Sequence, residues 1–381
     1  MGGVQRVVTS LANEFAGENE VTIGITNADS KALVPGYQLD NSIKIISLPE
    51  CDCKRSFWSI IRFLVRKQGK TLSAGMAKKV FYSQKRIEAL QSFLSRENFD
   101  AVIAVAVDNS LLLALPDKQK LKNENVRYIG WFHNTYAAYF NTNDNYAYGR
   151  KNLAKEVLGN LDQIVTLTQH DATALQENLN LSNCTYIYNP LSFTTQEKPK
   201  FNNKTLLFVG RLEEQQKGLD YLAEIANIIF KDEKFQDWKL VVVGDGSDRA
   251  KFESQIQKYG ISRYVTCVGN QKDVMHHYLN ADVLLLTSRW EGFGLVVTEA
   301  FECGIPVVAF HNDGPDEIIT DGENGFLIER FDLEEFAEKV ILLMKDEKLK
   351  KRLSKNAKKR AGDFSVERIV HKWNEVIDHG Q

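Results

Sequence analysis

The chain reads as an α/β protein made of two doubly wound halves, each built on a parallel sheet, and three observations carry that reading. Short apolar runs alternate with amphipathic segments along all 381 residues, the pattern of strands and the helices that cover them. These runs fall into two series, divided by a polar stretch at 192–204 with the composition of a linker. The length suffices for two full cores, and 43% hydrophobic with 26% charged residues is ordinary for a soluble globular protein.

Taken in order, the first series predicts strands at Val21–Thr26, Ile43–Ser47, Ala101–Ala106, Tyr128–Phe132, Gln163–Leu167 and Thr185–Tyr188. The second predicts Thr205–Val209, Leu240–Val243, Val265–Val268, Val283–Leu286 and Pro306–Ala309. Domain limits follow at 1–192 and 193–364, with a last helix over about 365–381. There is no internal repeat and no low-complexity tract.

Composition also excludes. A net charge of -2 gives no general attraction to nucleic acid. Five cysteines lack metal-ligand spacing, with Cys51 and Cys53 close and Cys184, Cys267 and Cys303 scattered, as expected of a reducing cytoplasm. There is no signal peptide and no apolar run of about 18 residues. Charge is nevertheless uneven. From Lys54 to Arg96 eleven Lys/Arg stand against one acidic residue, Glu88, interleaved with Phe57, Trp58, Ile60, Ile61 and Phe63. Two readings are open: a basic amphipathic surface for an anionic membrane, or a solvated face packed on its own domain.

The segment Thr287-Ser-Arg-Trp-Glu-Gly-Phe-Gly-Leu-Val-Val-Thr-Glu-Ala300 is the most informative. A buried strand runs into a glycine-bearing loop and then a helix. Gly292, Gly294 and the first helical N–H groups therefore gather at a helix N-terminus, whose unpaired donors and positive dipole suit a diphosphate. Glu291 on the loop and Glu299 inside the helix can reach sugar-nucleotide hydroxyls; the alternative is a plain turn with two solvated glutamates. After the first strand of the second series comes Gly210-Arg211-Leu-Glu-Glu-Gln-Gln-Lys217-Gly218. Arg211 as a planar fork and Lys217 as a point charge can neutralise a diphosphate, unless they only pair with Glu213 and Glu214. No Asp-x-Asp triplet occurs, so metal independence is expected.

These residues resemble the retaining glycosyltransferases of family 4, which have the GT-B fold of two Rossmann-like domains facing a cleft. The likeness rests on Glu291-Gly-Phe293-Gly-Leu295, Glu299-Ala, Cys303-Gly-Ile-Pro-Val-Val-Ala309, Gly314-Pro and Asp321-Gly-Glu-Asn-Gly325. It is strong from Thr205 to Leu327 and looser before. The resemblance implies transfer of a hexosyl unit from a nucleotide diphosphate sugar to an acceptor hydroxyl, with no further cofactor. It implies that Arg211 and Lys217 hold the leaving diphosphate and that Glu291 contacts the transferred sugar. Glu299 would take the ribose hydroxyls. Gly210 and Gly246 would line the donor site, and backbone groups at Asn270 and Gln271 would read a base, uracil by preference.

His133, at the end of a first-half strand, resembles the family's histidine that approaches the transferred sugar; a lone strand-end histidine is otherwise structural. The remaining histidines form no ligand set. Met1-Gly2-Gly3-Val looks like the glycine loop and first helix that in this family follow an initial buried strand, so a central place in the first sheet is expected to lack its usual strand. The alternative is a loose terminus. The last helix is expected to cross back onto the first domain. Acceptor and location follow the family's usual company: a lipid-linked or polymeric glycan of bacterial surface polysaccharide synthesis, made in the cytoplasm or at the inner face of the membrane. Two other readings stay open: another GT-B reaction such as an epimerase or phosphorylase, and a sugar-nucleotide-binding protein without turnover.

Overall fold

The computed structural model describes residues 2–26, 38–48, 71–116, 125–141 and 147–378. The chain divides into two compact units. One joins Met1–Pro190 to Val366–Gln381, and the other is Leu191–Ser365.

In the first unit the strands are β1 (Thr22–Ile25), β2 (Lys44–Ser47), β3 (Ala101–Val105), β4 (Arg127–Trp131), β5 (Gln163–Thr166) and β6 (Cys184–Tyr186). All pairings are parallel, but there are two sheets: β1 with β2, and β3-β4-β5-β6 in that order. No strand pair joins the two among the described residues. Thr26 Oγ1 donates to Asn109 Oδ1 at 3.2 Å, tying the end of β1 to the helix after β3. Gly2 is the N-cap, and Gly3 the first residue, of an amphipathic helix, Gly3–Phe15, that buries Val7, Leu11 and Ala12. That helix packs beside the C-terminal helix Val366–Asp378, which buries Ile369 and Trp373. Trp373 stacks edge-on against Trp131 at 4.9 Å, and Arg127 Nη2 donates to the Val376 carbonyl at 2.9 Å.

Residues 54–70 of the basic stretch lie outside the described residues, as do Cys51 and Cys53. Its remainder forms helices Ala74–Phe81 and Gln84–Leu94. Each starts at a serine, Ser73 or Ser83, whose hydroxyl accepts from an amide of the first turn. They bury Ala77, Val80, Ile87 and Leu94 while Lys79, Lys85 and Arg96 stay exposed, so this part packs on its own unit.

The second unit holds one six-stranded parallel sheet: β7 (Thr205–Val209), β8 (Lys239–Val243), β9 (Val265–Gly269), β10 (Val283–Leu286), β11 (Val307–Phe310) and β12 (Gly325–Ile328). Their order across the sheet is β12-β11-β10-β7-β8-β9. The chain starts in the middle with β7, winds out to β9, then returns to β10 beside β7 and winds the other way. The carboxyl ends of β7 and β10 are thus the switch point of the sheet, where loops leave in opposite directions and a crevice opens. The inner strands β7, β10 and β11 are almost wholly buried, Val283–Leu286 and Val307–Phe310 at every residue, as a sheet covered on both faces requires. The edge strand β12 escaped the sequence reading. It is four residues long and opens on Gly325, where an added Cβ would fall 2.6 Å from the Val307 carbonyl oxygen.

Candidate functional site

Two loops meet at the switch point. The first, after β7, passes through Gly210 and Arg211 to a single helical turn, Glu214–Lys217. It ends at Gly218 with φ +61, where an added Cβ would lie 2.2 Å from the Thr287 carbonyl oxygen. Only glycine lets the two loops touch there. The second, after β10, runs from Thr287 to Gly294 (φ +92), the N-cap of the helix Leu295–Glu302.

Their junction brings the expected residues together. Lys217 Nζ lies 2.6 Å from Glu291 Oε2, and both side chains are largely but not wholly covered, at 13% and 14% exposure. Ser288 Oγ donates to the same carboxylate oxygen at 3.2 Å, and Thr287 Oγ1 donates to the Lys217 carbonyl at 2.9 Å. Gly210 sits beneath, with an added Cβ 3.7 Å from Lys217 Cδ. Arg211 is open to solvent at 61% exposure and pairs with Glu213 at 3.0 Å. Gly292, Phe293 and Gly294 are buried and Leu295 is half-buried, so the first-turn amides of Leu295–Glu302 start from a fixed frame. Phe293 anchors that frame edge-on against Phe364 at 5.8 Å. Gly314 lets a neighbouring helix press on it, since a Cβ there would meet the Phe293 carbonyl oxygen at 2.3 Å.

Other expected residues stand elsewhere. Glu299 is 2% exposed; one carboxylate oxygen accepts from Ser192 Oγ at 2.7 Å and the other from the Tyr278 hydroxyl at 2.8 Å. Those two hydroxyls take one acceptor position on each carboxylate oxygen. Gly246 has a packing reason: an added Cβ would lie 2.4 Å from the Leu212 carbonyl oxygen, where the loops after β7 and β8 are pressed together. Asn270 and Gln271 are exposed at the end of β9, two strands out from β7.

In the first unit, His133 follows β4. Its amide donates to the Tyr139 hydroxyl at 3.0 Å and its ring lies 4.1 Å from the Trp131 ring. Nε2 is buried without a hydrogen-bond partner among the described residues, and burial pulls the imidazole down to about 3. His133 is therefore neutral, a donor or acceptor of a hydrogen bond and not a cation.

A 3-2-1-4-5-6 parallel sheet with cations and a helix N-terminus at its switch point, accompanied by a second parallel α/β unit, has the architecture of the GT-B fold. Residues 193–360 match the family model of glycosyl transferases group 1. An uncharacterised glycosyltransferase of Haemophilus influenzae is 28% identical over 99% of this chain and 96% of its own length. A Campylobacter jejuni alpha-1,4-N-acetyl-D-galactosaminyltransferase, named for a diNAcBac-PP-undecaprenol-linked glycan, is 26% identical over 99% of this chain and 95% of its own. Among solved structures, the Anabaena protein HepE in complex with UDP and glucose superposes with a TM-score of 0.71 over 99% of this chain and 96% of that one, at 18% identity, a likeness of fold.

Proposed function

We propose that the chain transfers a hexosyl unit, with retention at the anomeric carbon, from a UDP-sugar to an acceptor hydroxyl on a lipid-linked or polymeric glycan, without a metal ion. The observation that carries this reading is the junction of Lys217 and Glu291 at 2.6 Å beside the helix N-terminus at Gly294. An anion and a cation held together at a switch point are separable by a ligand that carries a diphosphate for one and hydroxyls for the other. On donor binding Lys217 exchanges the Glu291 carboxylate for phosphate oxygens. Glu291 is released to accept from the sugar. Arg211, exposed and paired with the neighbouring Glu213, swings onto the same diphosphate.

The chemistry follows from these roles. The bond from the anomeric carbon to the β-phosphate oxygen breaks as the acceptor oxygen attacks from the same face. The acceptor proton passes to the departing phosphate oxygen. Lys217, Arg211 and the amides at the start of Leu295–Glu302 stabilise the charge that develops there, and fixed donors in a partly dry site do this without reorganisation. Neutral His133 supplies a hydrogen bond to the sugar. UDP is favoured by the HepE complex, and a lipid-linked acceptor by the name of the Campylobacter relative.

The test is turnover of UDP-, GDP-, ADP- and TDP-sugars with and without EDTA. Lys217→Ala and Arg211→Ala should each lower kcat by about 100-fold or more, the scale of removing one charge interaction from the transition state. Undiminished turnover in both variants, or abolition by EDTA, sinks the proposal.

A further inference from the structure

Arg289 lies inside the second loop, two residues before Glu291, and its side chain does not point at the switch point. It turns back across the first loop. Nη1 donates to the Glu214 carbonyl at 2.7 Å, and Nη2 pairs with Asp220 Oδ2 at 2.5 Å. The guanidinium carbon sits over the Tyr221 ring, 4.0 Å from its centroid. Its own amide donates to the Gln216 carbonyl at 2.8 Å. One residue thus grips the turn Glu214–Lys217 at both ends, together with the helix that follows it. The turn is a single helical turn long and buries none of its own side chains, so packing alone does not hold it.

We infer that Arg289 is a positioning residue for the diphosphate site: by clamping the turn Glu214–Lys217 to the loop Thr287–Glu291, it sets Lys217 where a donor diphosphate must find it. The inference rests on the reading of Lys217 as a diphosphate ligand. Three geometric demands fall on one side chain at once: a carbonyl, a carboxylate and an aromatic face. A planar guanidinium meets all three, whereas a lysine ammonium meets one at a time. The role therefore belongs to shape as well as to charge.

The test is calorimetric binding of inorganic pyrophosphate to the full chain, which probes the diphosphate subsite whatever the base. The variants are Lys217→Ala, Arg289→Ala, Arg289→Lys and the double variant Lys217→Ala/Arg289→Ala, with a thermal melt of each. Arg289→Ala and Arg289→Lys should both weaken pyrophosphate by roughly ten-fold, the scale of removing one charge-assisted hydrogen bond. The double variant should bind no worse than Lys217→Ala, because Arg289 acts through Lys217. Rescue by Arg289→Lys would show a simple field effect and overturn the inference, as would additive losses in the double variant. Should Arg289→Ala fail to fold, Asp220→Asn loosens the clamp from its other side and is expected to weaken binding in the same direction; unchanged binding there overturns the inference too. If Lys217→Ala itself leaves pyrophosphate binding intact, the diphosphate reading falls, and this inference with it.

Discussion

Glu291 and Glu299 are eight positions apart on one segment, yet their surroundings assign them different work. Glu291 faces a cation at the mouth of the switch point, whereas Glu299 is sealed between two hydroxyl donors. Replacing Glu299 by Gln keeps the volume but turns an NH2 toward one of those hydroxyls, which must then accept instead of donate. A hydrogen bond to a charged oxygen is lost, at a cost of about 1–3 kcal/mol. Glu299→Gln should therefore lower the melting temperature measurably, and an unchanged melt would mean that Ser192 and Tyr278 do not hold it. His133 makes a second prediction. Its folded value is about 3, below the ordinary 6.5 that it regains on unfolding. Between those values the unfolded chain binds the extra proton, so this contribution to stability is intact above about pH 6.5 and is lost as pH falls toward 3. Urea unfolding at several pH values should show His133→Gln losing less stability on acidification than the parent; an identical acid slope refutes the burial.

At the scale of elements, the loops around β7 and β8 are fitted through glycine. Gly244 has φ +129 and would drive a Cβ to 1.9 Å from the Gly210 carbonyl oxygen, and Gly246 would drive one to 2.4 Å from that of Leu212. Neither neighbour is a side chain that can swing away; each is the backbone of the loop that carries Arg211. Gly246→Ala should therefore destabilise by about 1–3 kcal/mol, as overpacking does, and weaken nucleotide binding by moving that loop. Calorimetry with a thermal melt checks both, and normal stability with weakened binding would return Gly246 to direct contact with the donor.

Such fits explain what the sequence made legible. The β7 and β10 loops were readable because their chemistry is local: Gly210, Arg211, Lys217 and the Glu291–Leu295 run each lie within a dozen residues of a strand end. The clamp by Arg289 was not, since Glu214 and Asp220 lie about seventy residues away and arginine between serine and tryptophan carries no signal of its own. The seal over Glu299 hid for the same reason, because Ser192 lies 107 residues away and Tyr278 comes from a separate helix, Met275–Leu279. The strands of the first half were legible one by one, from their apolar runs. Their division into two sheets was not, because pairing partners are a property of the fold and not of any run.

The two units have separate cores, and the chain threads them unequally, from which a prediction for the whole molecule follows. The second unit is one continuous segment, Leu191–Ser365, with a closed hydrophobic core around β7, β8 and β10 and a buried ion pair between Lys350 and Asp282 at 2.7 Å. Asp282 also accepts from the amides of Asn202 and Thr205 at 3.0 and 3.1 Å, so the segment ties its own start to its last long helix. The first unit is discontinuous and takes its last piece from the far end of the chain. That piece fills its core with Ile369 and Trp373, at 0% and 1% exposure. Removing a buried tryptophan alone costs about 3–5 kcal/mol and a buried isoleucine about 2–5 more. Together these rival the whole stability of a typical domain, about 5–15 kcal/mol. Residues 191–365 expressed alone should therefore fold with a cooperative melt and bind pyrophosphate through Lys217. Residues 1–190 alone should not melt cooperatively until a segment carrying 366–381 is fused or added. Circular dichroism melts of the two fragments decide the matter: a cooperative transition in 1–190 by itself would show that the returning helix decorates the first unit instead of completing it.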